Sequence, residues 1–259
     1  MATQVIYNDD RVRKLIEFPV IKELRGSLTP IELDKDIPFQ VRSIRWAKGG
    51  EIYSVLEKID IHSSNLVLAV SGCAELVVDR EHFVLDRPNI GLLAVGVSDL
   101  KPVKQSGDLI CLVLSNIENL DLSEFNSDDS VKCEGYSVGE CRTIDLSLSQ
   151  TENVPFPIKR LFYIYDIPDN VIRGGHTHKS CHEVLIALQG AFDIELSDGY
   201  DKLIVELNDK PEGLFLPAGI WAKQTRYKDK ALCLVFASEA YDEAGYINTY
   251  EDFLKFSKK

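Results

Sequence analysis

RGGHTHKSCHEVLIALQG, at residues 173–190, joins a pair of histidines to an apolar run that is typical of a buried β-strand. One residue separates His176 from His178, so both imidazoles lie on the same face if this segment is a strand. Glu183 follows after four intervening residues, which leave room for a turn before the apolar run begins. The stretch therefore predicts two successive strands with a polar cluster where they meet.

The spacing of these residues, H-x-H-x4-E-x6-G ending at Gly190, matches the first cupin motif, and the chain is identified as a member of the cupin superfamily. That resemblance implies an all-β fold of the jelly-roll, or double-stranded β-helix, type. The second cupin motif ordinarily supplies a histidine after P-x-G-x-x. Here Pro217 and Gly219 are followed by Trp221 and Ala222, so that histidine is missing.

Sequence outside this stretch shows that the chain contains the same pattern twice. PFQVRSIRW at 38–46 corresponds to PFPIKRLFY at 155–163, and SNLVLAVSG at 64–72 corresponds to HEVLIALQG at 182–190. We therefore predict a first cupin unit over residues 1–120, a linker over 121–145 and a second cupin unit over 146–259. Only the second unit contains the histidine pair.

Both copies consist of short, β-branched-rich segments separated by Gly, Asp, Asn and Pro, which predicts two tandem jelly rolls. In the first copy we predict that EIYSVLEKIDI, at 51–61, is one of these strands. S-D-G at 197–199 predicts a tight hairpin turn. Helical periodicity is confined to residues 242–256, where Tyr246, Tyr250 and Phe253 would share one face of a short C-terminal helix.

The overall charge and the cysteine pattern limit the partners of the chain. Lys and Arg total 29 while Asp and Glu total 41, a formal net charge of −12 that disfavours a partner such as a nucleic acid polymer. The apolar runs are too short to span a membrane, and the N-terminal residues do not resemble a signal peptide. The six cysteines are scattered, without a C-x-x-C pair. These features predict a cytoplasmic protein with reduced thiols.

The first copy differs from the second at the residues that would carry chemistry. Lys58, Asp60 and Asn65 occupy the positions of His176, His178 and Glu183. The first copy is therefore expected to be structural or regulatory, and the second copy is expected to hold the active site.

Five segments resemble the WxcM-like family of sugar 3,4-ketoisomerases. They are LRGSLTPIELDKDIPFQVRSI (24–44), RLFYIYDIP (160–168), RGGHTHK (173–179), EGLFLPAGIW (212–221) and LVFASEAYDEAGYINTYEDF (234–253). The resemblance implies isomerisation of a nucleotide-linked, most simply dTDP-linked, 4-keto-6-deoxyhexose to its 3-keto isomer for surface-polysaccharide amino-sugar synthesis. It also implies that neither a metal nor a cofactor is needed. Glu183 departs from the family pattern, which usually has Gln there.

This resemblance places His176 and His178 at the catalytic positions of the family. Moving the ketone needs proton removal at C3 and proton return at C4, and imidazoles titrate near neutral pH. We expect His178 to be the base at C3, and His176 to be the proton donor or the group that stabilises the enediolate. Tyr163 is a further catalytic candidate through its phenol. The substrate-binding candidates are Arg160, Tyr165, Arg173, Lys179 and Trp221.

Two other functions fit the same residues. His176, His178 and Glu183 are two histidines and one carboxylate, a donor set that suits Fe, Mn, Ni or Zn in a metal-dependent cupin enzyme. A non-catalytic protein that binds a nucleotide sugar is the third possibility, given the degenerate first copy.

The position of the R-G-S segment, residues 24–44, is unusual because it belongs to the first copy, and the second copy lacks an equivalent before PFPIKR. If members of the family exchange amino-terminal strands, this segment would complete the pocket of the second copy within one chain. The chain is accordingly expected to form either a homodimer or an intramolecular pseudo-dimer of its two cupin units.

Overall fold

A computed structural model of the chain describes residues 11–57, 63–117, 135–146, 151 and 153–258. As far as Ser115 the strands are β1 Val12–Glu17, β2 Ile21–Glu23, β3 Gly26–Glu32, β4 Ser43–Lys48, β5 Ser64–Ser71, β6 Ala74–Val78, β7 Glu81–Leu85, β8 Ile90–Val95, β9 Leu100–Gln105 and β10 Ile110–Ser115. The later strands are β11 Arg142–Asp145, β12 Arg160–Tyr165, β13 Arg173–His178, β14 Glu183–Ser197, β15 Lys202–Asn208, β16 Glu212–Leu216, β17 Trp221–Ala237 and β18 Tyr246–Ile247. The helices are α1 Leu33–Asp36, α2 Ile52–Glu57 and α3 Tyr250–Ser257.

These elements form two compact units. Unit 1 comprises Met1–Phe18 and Phe39–Glu124, and unit 2 comprises Pro19–Pro38 and Phe125–Lys259. Unit 1 has a five-stranded antiparallel sheet in the order β1-β8-β5-β10-β4 and a three-stranded sheet in the order β7-β6-β9. The inward faces of its strands enclose an apolar core that includes Val67, Leu92 and Val113.

Unit 2 repeats this pattern in a larger sheet with the order β11-β16-β14-β17-β12-β3-β2. The long strands β14 and β17 pair along most of their length, with β-bulges that let them curve around the core. Residues 198–201 turn β14 into β15, which agrees with the predicted hairpin. The fold class predicted from the sequence, two tandem all-β cupin units with a short C-terminal helix, is confirmed.

The amino-terminal segment joins unit 2 although it belongs to the first copy in the sequence. Strand β3 pairs antiparallel with β12, so that Ile31 lies opposite Leu161 and Thr29 opposite Tyr163. Without β3, the outer edge of β12 would be a row of unpaired backbone N–H and C=O groups. This is the pairing expected if the R-G-S segment completes the second copy within one chain.

The contacts within unit 2 also differ from the domain boundaries predicted from the sequence. Residues 19–38 group with unit 2 rather than with residues 1–120, because β3 is hydrogen-bonded to β12. Strand β11 lies inside the predicted linker 121–145, yet it pairs with β16 and buries Ile144.

Two segments differ locally from the sequence-based prediction. The predicted strand 51–61 is a helix over Ile52–Glu57, where Ile52 and Leu56, one turn apart, are both buried. At the C-terminus, helix α3 begins only at Tyr250, because the Thr249 hydroxyl caps it by accepting a hydrogen bond from the backbone N–H of Asp252.

Two further findings concern the whole of the described chain. None of the helices in the ranges given above has the length and apolar character needed to cross a bilayer. The cysteines within those ranges, Cys73, Cys111, Cys141, Cys181 and Cys233, are free thiols.

Candidate active site

The histidine pair owes its orientation to the two glycines that precede it. Gly174 and Gly175 have φ values of +69° and +74°, a left-handed conformation that favours glycine. A Cβ atom on Gly174 would lie 2.9 Å from the carbonyl oxygen of Ala222, so a larger residue does not fit. The register of β13 on β17 shifts between Gly174 and His176, which marks a bulge. R-G-G therefore turns the rest of the strand toward the interior of the barrel.

The two imidazoles lie together, as the i, i+2 spacing predicts. Their ring centroids are 5.1 Å apart and their planes are nearly perpendicular. His178 is 7% exposed, and His176, opposite Ala222 in the register, faces the same apolar interior.

Glu183 is the third member of the cluster, at the start of β14. Its Oε1 lies 3.3 Å from Nε2 of His178, and both side chains are almost fully buried. The contact is an ion pair by distance, and its alignment is too poor for a good hydrogen bond. Catalytic contacts are commonly loose before substrate binds.

The protonation states in this cluster follow from burial and from neighbouring charge. Burial by itself raises the pKa of Glu183, but His178, His176 and Arg160 together outweigh it and hold that pKa below its ordinary value. Burial lowers the pKa of His176, and the charge of Glu183 opposes this only in part. Near neutral pH the cluster thus contains a carboxylate and a neutral imidazole at position 176.

Tyr246 completes the cluster, and the sequence-based prediction missed it. It lies in strand β18, which pairs with β13 so that Tyr246 is opposite His178. Its ring centroid is 4.3 Å from that of His178 and 5.0 Å from that of His176. The prediction placed it on the face of a helix over 242–256, which is wrong because the capped helix starts after Thr249. The Thr-x-x-Asp pattern at 249–252 was the available signal.

Arg160 is brought into the same interior. Strand register places it opposite Ala237, which is itself opposite Glu183, and residues paired in this way share one face of the sheet. Burial raises the pKa of the Tyr246 phenol, and the nearby charge of Arg160 opposes that rise. Arg160 is 3% exposed, and among the described residues its Nε has no hydrogen-bond partner. It offers a buried cation to an anionic group of a ligand.

Arg173 and Lys179, two of the other substrate-binding candidates, hold main-chain segments around the cluster. The Arg173 Nη1 donates to the carbonyl oxygen of Arg25 at 2.7 Å, which ties β13 to the turn before β3. The Lys179 Nζ donates to the carbonyl oxygen of Ala244 at 2.6 Å, next to the strand that carries Tyr246.

Tyr163, Tyr165 and Trp221 are not brought to the histidines. On β12, Tyr163 and Tyr165 alternate with Arg160 and therefore lie on the opposite face of the sheet. There the two rings pack against each other, and the Tyr165 hydroxyl hydrogen-bonds Thr29 of β3. Burial raises the pKa of Tyr163, so its phenol stays neutral.

Trp221 is likewise separated from the pair by the sheet. It precedes Ala222, the residue opposite His176, and so points to the other face. Its ring contacts those of Tyr250 and Phe253, with centroids 5.3 and 5.6 Å away. Trp221 anchors helix α3 to the sheet.

The metal-binding alternative needs His176, His178 and Glu183 to converge on one point. Within the ranges that the structure describes, no three or more His, Cys, Asp and Glu side chains are arranged to hold a metal ion.

In unit 1, only one of the three residues that correspond to the cluster of unit 2 is among the described residues. Lys58 and Asp60, at the positions of the histidines, lie outside the described residues. Asn65 occupies the place of Glu183, opposite Ser115 of β10, and is fully buried. At this one described position, unit 1 thus keeps a buried polar side chain, with an amide in place of the carboxylate.

Both copies of the repeat match one protein family. The family described as "FdtA: WxcM-like, C-terminal" matches residues 11–130 and again residues 139–258. A TDP-4-oxo-6-deoxy-alpha-D-glucose-3,4-oxoisomerase of Aneurinibacillus thermoaerophilus is 32% identical over 114 residues, which are 44% of this chain and 82% of that protein.

Two solved structures are also similar. The WlaRB TDP-quinovose 3,4-ketoisomerase of Campylobacter jejuni is 34% identical, covering 46% of this chain and 99% of its own, with a TM-score of 0.43. QdtA, a sugar 3,4-ketoisomerase of Thermoanaerobacterium thermosaccharolyticum in complex with TDP, is 34% identical, covering 49% of this chain and 90% of its own, with a TM-score of 0.41. Each relative matches less than half of this chain.

Proposed function

The chain belongs to the FdtA, WxcM-like C-terminal family across both of its units, and we propose that it isomerises a nucleotide-linked 4-keto-6-deoxyhexose to the 3-keto sugar. The substrate that we infer is dTDP-4-keto-6-deoxyglucose, in line with the name of the curated relative. The observation that carries the proposal is the buried cluster of His176, His178 and Glu183 in unit 2.

The reaction needs a base at C3, and His178 is suited to it. Glu183 faces one ring nitrogen of His178, which leaves the second nitrogen to take the C3 proton. The electron pair of the broken C–H bond then forms the enediolate, with negative charge on the oxygen at C4. Glu183 offers an oxygen atom to the His178 ring, a role that the Gln usual in the family can also perform.

The other residues of the cluster stabilise the enediolate and return a proton to the sugar. His176 is neutral, so it can donate an N–H to an enediolate oxygen without adding a buried positive charge. The Arg160 guanidinium and the Tyr246 hydroxyl supply positive potential in a buried interior with little water to screen it. Transfer of the C3 hydroxyl proton to the oxygen at C4, and protonation of carbon C4, then give the 3-keto product with a hydroxyl at C4.

The direct test is incubation of the purified chain with dTDP-4-keto-6-deoxyglucose, following the carbonyl position by NMR. We expect the 3-keto sugar to accumulate without added metal. Tight binding of the nucleotide sugar without isomerisation would favour a binding protein instead. The proposal also includes dTDP as the nucleotide and turnover without a metal, which this assay addresses. A mass measurement in solution addresses whether the chain forms a homodimer or an intramolecular pseudo-dimer.

Glu183 gives the sharpest test between metal-free and metal-dependent chemistry. We expect Glu183→Gln to keep kcat/KM within about tenfold, because Gln also offers an oxygen to His178. A metal site of two histidines and one carboxylate would lose both its metal and its activity. The measurement is kcat/KM together with elemental analysis of protein purified without an affinity tag. Glu195→Gln, which breaks a surface ion pair with Lys223, is the matched control.

The pH dependence of the same variant has a definite sign. Neutral His176 is needed, and its lowered pKa puts the acidic limb of the kcat/KM profile below about pH 6.5. Glu183 raises that pKa through its charge, so its removal lowers the pKa further. The acidic limb of Glu183→Gln should therefore move to lower pH, and a move to higher pH would contradict the assignment.

Tyr246 is expected to position both imidazoles. Tyr246→Ala removes the ring that packs against them and should lower kcat roughly 10²-fold. Tyr246→Phe keeps the ring but loses the hydroxyl near Arg160, so its kcat should lie between those of the wild type and Tyr246→Ala. Steady-state kinetics of both variants make the measurement, with exposed Tyr200→Ala as the control. Wild-type kcat in Tyr246→Ala would exclude this role.

The cellular location stays a prediction. Free thiols at all five described cysteines support the cytoplasm, where thiols are kept reduced.

A further inference from the structure

The interior of unit 1 contains a buried arginine at the end where unit 2 has its histidine cluster. In β4, Arg45 lies opposite Val113 of β10, which lies opposite Val67 of β5. Val113 and Val67 belong to the core of unit 1, so Arg45 faces the interior of the barrel. It is only 5% exposed.

The strand register shows which positions of the two units correspond. Ser43, Ser115 and Asn65 form one row across β4, β10 and β5. Arg160, Ala237 and Glu183 form the matching row of unit 2 across β12, β17 and β14. Arg45 lies one row further along the same inward face, at the place of Phe162. An arginine is thus present near the same end of both barrels, two residues apart along the equivalent strand.

Polar atoms at this end of unit 1 lack partners. Among the described residues, neither Nε nor Nη1 of Arg45 has a hydrogen-bond partner, and the same holds for the Oδ1 of Asn65. The amide nitrogen of Asn65 is already used, since it donates to the Ser63 hydroxyl at 2.6 Å. In the described part of unit 2, the buried atoms without a hydrogen-bond partner include Nε of Arg160 and Nε2 of His178, which line the proposed substrate pocket.

A buried guanidinium without a counter-charge is unfavourable, because it has lost its hydration and gained no partner. None of the described carboxylates forms an ion pair with Arg45, and burial lowers its pKa without an opposing charge. An anion bound from outside the chain would supply the counter-charge that the described residues do not. Guanidinium N–H groups suit the oxygens of phosphoryl and carboxylate groups.

We propose that unit 1 is a second ligand site, in which Arg45 binds a phosphoryl or carboxylate oxyanion and the Asn65 amide oxygen accepts a hydrogen bond from the same ligand. The site is separate from the histidine cluster, and its existence does not depend on the isomerase reaction of unit 2. It gives the degenerate unit a binding role in place of the catalytic one it has lost.

Hydrogen exchange of the full chain, measured by mass spectrometry on peptides from β4, β5 and β10, tests this site. Inorganic phosphate and acetate are titrated separately at constant ionic strength against sodium chloride. We expect one of them to slow exchange in these peptides saturably, by roughly tenfold at ten times its dissociation constant. The anion that saturates at the lower concentration identifies a phosphoryl or a carboxylate source.

Arg45→Met keeps the apolar stem and removes the charge. We expect this variant to lose the anion-dependent protection. Without any anion, its β4, β5 and β10 peptides should exchange no faster than those of the wild type, because the unpaired charge is gone. The control is Arg87→Met, at an exposed arginine of unit 1. If Arg45→Met does not fold, Arg45→Lys should weaken anion binding at least tenfold. Absence of saturable protection in the wild type, or equal protection in a folded Arg45→Met, would overturn the proposal whatever the activity of unit 2.

Discussion

The His178→Ala variant is expected to lose at least 10³-fold in kcat while its dissociation constant for dTDP stays within about twofold of the wild type. Removal of a general base ordinarily costs 10²–10⁴-fold, and His178 is both the proposed base and the direct partner of Glu183. The substitution also leaves the carboxylate buried without its imidazole. The nucleotide is expected to be held by other groups, so its affinity should change little.

Three measurements make this prediction specific. The NMR assay gives turnover, titration calorimetry gives the dissociation constant for dTDP, and far-UV circular dichroism verifies the fold. The control is His82→Ala, which removes an exposed histidine of unit 1 that contacts Glu75. A His178→Ala protein with more than a tenth of the wild-type kcat would exclude His178 as the base. A large loss of dTDP affinity would instead assign the residue to binding.

The part of the site that the sequence predicts well is the part built by local spacing. His176, His178 and Glu183 lie within eight consecutive residues, and the i, i+2 rule is enough to place both imidazoles on one face. Arg160 was also a candidate, and the register of two strand pairs brings it to the same interior.

The residues that the sequence misplaced depend on information that local spacing does not contain. Tyr163 and Tyr165 sit on a strand, and alternation shows that they share a face without showing which face is inward. Tyr246 reaches the histidines through a two-residue strand, 68 positions along the chain from His178, that looked like part of a helix. Pairing between distant strands decides both cases.

In the fold, too, some features are predicted well from the sequence and others are not. Repeated strand patterns predict two cupin units correctly, because buried strands recur in the same order in both copies. The segment 51–61 was misassigned because Ile52 and Leu56 fit one face of a short helix as well as they fit a buried strand. The R-G-S segment was recognised as displaced, but only the pairing of β3 with β12 assigns it to unit 2.

That pairing leads to a second large effect, in which a residue of the first copy stabilises the second unit. Ile31 of β3 is fully buried opposite Leu161, so we expect Ile31→Ala to destabilise unit 2 by about 2–5 kcal/mol. Ile21→Ala, in the neighbouring strand β2, removes the same atoms from a half-exposed side chain and should cost less than about 0.5 kcal/mol.

Native-state hydrogen exchange separates the two units without cutting the chain. In Ile31→Ala, the amides of β12 and of the adjoining part of β17 should lose protection, while those of β5 and β10 in unit 1 should keep it. Isomerase activity should become heat-labile in parallel, because β12 also carries Arg160. If protection were instead lost in unit 1 with unit 2 unchanged, the first-copy segment would have to be assigned to unit 1. The pocket of unit 2 would then be complete without it.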